Sequence, residues 1–141
     1  MAALSQGNAG EGEKAKVSLG LTFDTGALIA LERRRQRMSR VYTTAVTDGL
    51  IVTVPAVVVS EWWRRRSDVA DSLLRGLRVE PLDTELAKLA GEAIAAVPGS
   101  TVVDSLVMAS AARRGDIVYT SDVGDLSRLC EYFPEVRVLG V

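Results

Sequence analysis

The acidic side chains of this 141-residue chain are the ones whose types and positions could do chemistry. Asp24 ends the apolar run "LTF" and Glu61 falls inside "VVVSEWW". Asp104 follows "TVV", Asp122 follows "IVYTS", and Asp125 comes one helical turn later. Histidine is absent and Cys130 is the single cysteine. Serine–histidine and cysteine–histidine catalysis are therefore excluded, as is histidine acid–base cleavage of RNA. An enzyme with this composition works with carboxylates, hydroxyls, Lys/Arg, or a metal held by oxygen ligands.

Each acid also has an ordinary structural role open to it. Asp24 can cap a helix. Thr101-x-x-Asp104 fits a capping box, and Asp122-x-x-Asp125 fits a weaker one. Glu61 can pair with Arg64 or Arg65 three or four residues on. Those roles leave two things unexplained. At helical spacing, Glu61 shares a face with Val57 and Val58, and Asp104 shares one with Val107, Met108 and Ala111. A carboxylate on an apolar stripe is costly unless something satisfies it. A divalent cation would do so.

The elements around these residues alternate. Residues 19–23, 50–54 ("LIVTV"), 78–82 ("RVEPL"), 116–120 ("DIVYT") and 136–141 ("VRVLGV") read as strands. Between them, helices are predicted over 25–37, 39–48 (stopped by Gly49), 55–66 (with Pro55 at its first position), 68–77, 83–97, 101–114 (ended by Gly115) and 122–133. The helix at 83–97 carries a stripe of Leu82, Leu86, Leu89, Ala90, Ala93, Ile94 and Val97. Regular alternation argues for a mainly parallel sheet of about five strands covered on both faces. In such a sheet, ligands bind outside the carboxyl ends of the strands, where most of the five acids could meet.

Composition sets the rest. Residues 1–17 lack periodicity and are expected to form a mobile tail ahead of one domain at 18–141. With one cysteine, no secretory leader and no apolar run long enough for a membrane span, the chain is expected in the cytoplasm. Net charge is −1, but the stretch from Arg33 to Arg66 holds eight arginines against two acids. Such a stretch is commonly a solvated face; it can also grip phosphates.

Four segments together resemble the PIN domain, and most closely the toxin ribonucleases of type II VapBC toxin–antitoxin modules. They are "LTFDTGALIALE", "VPAVVVSEWWR", "VVDSLVMASAARRGD" and "VYTSDVGDLSRL", carrying Asp24, Glu61, Asp104 and Asp122 in that order. The resemblance spans about residues 19–139. It departs from the family pattern at Trp62-Trp63, where an aliphatic residue is commoner, and in the long Arg-rich stretch.

The resemblance implies a three-layer α/β/α fold and a metal-dependent endoribonuclease using Mg²⁺ or Mn²⁺. Asp24 and Asp104 would be core ligands, with Asp122 joining directly or through water. Glu61 would complete the quartet as a ligand or by orienting the attacking water, and Asp125 is a further possible ligand. The Thr120 position would support the acids, and Thr25 and Ser121 lie beside them. Arg33, Arg34, Arg64 and Arg65 would contact RNA, while Arg113 and Arg114 close a helix. The implied partners are RNA, a small VapB-like antitoxin lying in an apolar groove near the first helices, and a second copy of the chain. Trp62 and Trp63 could line that groove or a dimer surface, or serve as core and boundary.

Two other readings stand beside this one. A non-catalytic PIN-like module would bind RNA or protein without cleaving it. The letters "DTGA" at 24–27 match a retroviral-type aspartic protease, which requires a mostly β chain and two copies of Asp24 sharing a proton.

Overall fold

The computed structural model describes residues 20–64 and 67–141. The expected tail at 1–17 and the arginines at 65 and 66 lie outside the described residues. Five strands form one sheet: β1 (Leu21–Phe23), β2 (Val52–Pro55), β3 (Arg78–Glu80), β4 (Ile117–Thr120) and β5 (Arg137–Gly140). All neighbouring pairs are parallel, in the order β3-β2-β1-β4-β5. Among the described residues, seven helices connect them: α1 (Thr25–Glu32), α2 (Gln36–Thr47), α3 (Ala56–Trp62), α4 (Asp68–Gly76), α5 (Thr84–Ala96), α6 (Val102–Arg114) and α7 (Val123–Arg128). The result is a three-layer α/β/α sandwich. Its alternating helices rule out the mostly β architecture that the protease reading of "DTGA" requires.

The inner strands of the sheet are β2, β1 and β4. β1 and β2 are buried along their whole length, as strands covered on both faces must be. α6 crosses β1, β2 and β4 and packs on α5. Ser105 to Ala111 are all buried, and Ser105, Ala109, Ser110 and Ala111 are small enough to allow a close approach. Phe23, Leu28, Val58, Met108 and Val118 fill the space between layers. Burial of each such side chain stabilises the fold by about 1.5–3 kcal/mol.

Several boundaries differ from the sequence reading. The first helix ends at Glu32 rather than Arg37. Arg34 adopts φ 57, and the amides of Arg34 and Arg35 donate back to the carbonyls of Leu31 and Ala30. That is a Schellman stop built on a non-glycine residue, so the arginines at 33–35 form a turn. Gly49, at φ 72, ends α2 with the same pair of bonds. Pro55 is extended, at ψ 144, and closes β2 instead of opening α3. α3 ends at Trp62, well short of residue 66. The segment from Val123 breaks into α7 and a 3-10 turn at Leu129–Glu131. Leu82 precedes α5 and is exposed, while Leu86, Ala90, Ala93 and Val97 of the expected stripe are buried.

Candidate metal centre

The strand order fixes where the acids go. The chain runs outward from β1 through β2 to β3, then returns to place β4 on the other side of β1. The β1/β4 boundary is therefore the point where the winding reverses and a crevice opens. Phe23 pairs with Tyr119 in register, and the Asp24 amide donates to the Tyr119 carbonyl at 3.2 Å. Asp24 and Thr120 thus end the two central strands side by side.

Asp24 is both a helix cap and part of the crevice. Its Oδ1 accepts from the Ala27 amide at 2.9 Å, the ordinary capping bond. Its Oδ2 accepts from the Thr120 hydroxyl, and that same hydroxyl oxygen accepts from the Asp122 amide at 2.8 Å. Burial pushes the Asp24 carboxyl above its usual pKa; the bonds from Thr120 and Ala27 oppose this, and the charge on Asp122 adds to it.

Gly26 lets this corner close. A Cβ at position 26 would stand 1.9 Å from Ser121 Oγ and 2.5 Å from Ser121 Cβ. The first turn of α1 therefore lies directly on the end of β4. The glycine of "DTG" is required by close packing, not by a protease loop.

Asp104, Asp122 and Asp125 each bring a carboxylate oxygen to within 4.8 Å of the others. Asp104 sits in the first turn of α6, whose cap is Thr101 Oγ1, accepting from the Asp104 amide at 3.1 Å. Asp122 precedes α7 without a side-chain capping bond, and Asp125 lies in its first turn. Burial raises the Asp104 pKa first, a hydrogen bond from Thr101 opposes it, and the charges of Asp122, Asp125 and Asp24 raise it further. Of the acids singled out in the sequence, these three form the tightest group, and Asp24 interacts electrostatically with Asp104 and Asp122.

Glu61 reaches the same region through Thr25. The Thr25 hydroxyl donates to Glu61 Oε1 at 2.6 Å, tying the first residue of α1 to the end of α3. The partner expected from sequence is not the one seen for Arg64: its Nε donates to the Glu61 carbonyl at 3.0 Å.

Other expected residues fall in several places. Arg33 is exposed and faces a cleft beside Gly26 and Ser121, whereas Arg34 lines a separate hollow with Gln36 and Arg40. Trp62 is buried, with Nε1 donating to Glu32 at 2.9 Å, and Trp63 packs edge-on against it at 5.7 Å, half-buried. They behave as core and boundary. Arg113 and Arg114 do more than close a helix. Arg114 Nε donates to Asp116 Oδ2 at 2.8 Å, and its Nη1 lies 2.9 Å from Glu80 Oε2. Thr22, buried on β1, donates to Asp116 at 2.8 Å. This buried network fastens α6 to β1 and β3. Sequence reasoning missed it because Glu80 and Asp116 lie 30 or more residues from most of their partners or look like loop acids.

The donor set suits a hard divalent cation. It is all carboxylate oxygen, it gathers mutually repelling charges at one crevice, and two of its members have raised pKa values that an added positive charge would relieve.

Comparison with known proteins agrees with this geometry. Residues 21–132 match the family model for the PIN domain. No curated protein matches the chain. Among solved structures, VapBC2 from Rickettsia felis, bound to a DNA fragment from its promoter, aligns with TM-score 0.73 at 10% identity, covering 87% of this chain and 99% of that one. DNA-bound VapBC from Salmonella typhimurium aligns with TM-score 0.68 at 17% identity, covering 87% and 98%. A toxin–antitoxin complex from Klebsiella pneumoniae aligns with TM-score 0.61 at 12% identity, covering 85% and 96%.

Proposed function

This chain belongs to the PIN domain family, and on that premise we propose that it is a divalent-metal-dependent endoribonuclease acting as a VapC-like toxin. The observation that carries the reading is the grouping of Asp104, Asp122 and Asp125 beside Asp24 at the crevice between β1 and β4. Asp104, Asp122 and Asp125 would hold Mg²⁺ or Mn²⁺, with Asp24 supplying a fourth charge or ligand. When bound there, such an ion supplies a lowered pKa for an attacking water and charge stabilisation at the scissile phosphate.

The chain's own residues do the rest. Thr120 and the Ala27 amide hold Asp24 in one orientation. Thr25 holds Oε1 of Glu61, and Oε2 would accept a proton from the attacking water. Hydrolysis would leave 5′-phosphate and 3′-hydroxyl ends. Arg33, Arg34 and Arg64, all exposed, would contact RNA, as would the arginine at 65.

The structural relatives include toxins solved with their antitoxins, and this chain would be held inactive by a small VapB-like antitoxin. We place it in the cytoplasm as a homodimer; no helix among the described residues is long and apolar enough to cross a membrane. Expression in a bacterial host tests the toxin reading. Growth should arrest, and recover with Asp24→Asn or with co-expression of a short adjacent gene encoding a DNA-binding protein. Unimpaired growth with soluble wild-type protein would count against it.

A further inference from the structure

A cleft of about 410 Å³ opens beside the acids, lined by Gly26, Ile29, Ala30, Met38 and Ser121, with Arg33, Arg35 and Arg37 on its walls. Gly26 and Ser121 lie within two residues of Asp24 and Asp122 in the chain, so the cleft adjoins the acid cluster. Val141 completes the lining, and among the described residues no acidic side chain contributes to it. It therefore complements a polyanion. Its floor of Ile29, Ala30 and Met38 is apolar.

The arginines of this stretch are not equivalent. Arg37 alone of the three wall residues is fastened: its Nε donates to the Gly140 carbonyl at 2.8 Å, and its guanidinium lies 6.0 Å from the centre of the Tyr119 ring. The bond uses Nε only, and the outer fork of the guanidinium remains for a phosphate. Fixing the side chain in advance reduces the rotamer entropy lost on binding. Arg34 and Arg40 line a different hollow, with Gln36, Ser39, Thr43 and Thr44.

We propose that this cleft is the binding site for the nucleotide next to the cleaved bond, with Arg37 holding its phosphate and the partly exposed Ile29 and Ala30 receiving its base. A base reaches that floor only when it is out of a duplex stack, so the site selects single-stranded RNA. This inference rests on the ribonuclease reading and adds to it a nucleotide subsite and a positioning residue absent from the acid cluster.

The test is binding of a fluorescein-labelled short single-stranded RNA in EDTA, followed by anisotropy over a series of salt concentrations. Arg37→Gln should weaken binding about tenfold and reduce the steepness of the salt dependence by about 0.7. Arg40→Gln, the same charge change three residues away on the other hollow, should do much less. The same RNA annealed to its complement should bind wild type more weakly than the single strand. Equal effects of the two substitutions, or duplex bound as tightly as single strand, would overturn the proposal. So would an Arg37→Gln variant that binds RNA normally but loses a protein partner. If wild type cleaves RNA and only these results fail, the cleft assignment alone falls. If wild type neither binds nor cleaves RNA, the ribonuclease reading falls with it.

Discussion

Replacing Asp104 by Asn should make the metal-free protein more stable while removing its response to metal. Asp104 is half-buried, and carboxylate oxygens of Asp122 and Asp125 lie within 4.8 Å. With those two partners exposed, the effective dielectric is close to that of water, and each repulsion costs about 0.9 kcal/mol at that separation. Arg128, 3.6 Å from Asp125, offsets part of the second term. Relief of about 1–1.5 kcal/mol is therefore expected, an increase in Tm of about 3–5 °C. The sign follows from the pKa. Asp104 is raised in the folded state, so its penalty is present at neutral pH and disappears as pH falls through the raised value. The advantage of Asp104→Asn should fade over the same acid range. Adding Mn²⁺ at neutral pH should raise the Tm of wild type and leave that of Asp104→Asn nearly unchanged. Differential scanning fluorimetry with and without Mn²⁺, between neutral pH and about pH 4, reads all three effects. A variant less stable than wild type without metal, or stabilised by Mn²⁺ as much as wild type, would refute the argument.

Three further outcomes follow from the geometry. Thr25→Val removes the hydroxyl that holds Glu61 and should lower Mn²⁺-supported RNA cleavage about tenfold, with Thr25→Ser restoring most of it; equal loss in both variants would show that the bond is not what matters. Gly26→Ala places a Cβ against Ser121 and should cost about 1–3 kcal/mol in urea unfolding; a variant as stable as wild type would refute the close packing of this corner. Arg114→Ala takes the cationic partner from the buried Asp116, while Glu80 keeps Arg113 and Ser110, and should cost about 3 kcal/mol. Glu80 itself is desolvated, but bonds from Ser110 and Arg114 outweigh that and hold its carboxyl below the usual range. Its stabilising contribution should therefore be present at neutral pH and be lost as pH falls through that lowered value, which acid titration of wild type against Arg114→Ala would detect.

How much of this was readable in the sequence depended on the range of the interactions involved. The alternation of β-branched runs with amphipathic segments is local, and it sufficed for a parallel sheet with helices on both faces. Gly49 and Gly115 marked real helix ends because a left-handed residue there is a local requirement. Arg34 did the same job without glycine, so nothing in its type announced the break. The four acids could be picked out by their positions at strand ends and on apolar helix faces. Their grouping could not: the close association of Asp125 with Asp104 depends on how α6 meets α7 after the chain has passed through β4, a tertiary contact. The bond from Thr25 to Glu61 and the close approach at Gly26 are likewise tertiary, visible only once α1, α3 and β4 are assembled. The Arg-rich stretch looked uniform in sequence. The turn at 33–35 divides it between two surfaces.

Cleavage of RNA by the purified protein tests the central claim most directly. Short single-stranded RNA, incubated with Mg²⁺ or Mn²⁺, should yield fragments with 5′-phosphate and 3′-hydroxyl ends. EDTA should abolish the reaction, and folded Asp24→Asn and Asp104→Asn proteins should be at least about a hundredfold slower. Cleavage that persists in EDTA, or proceeds at the wild-type rate in both variants, would contradict it.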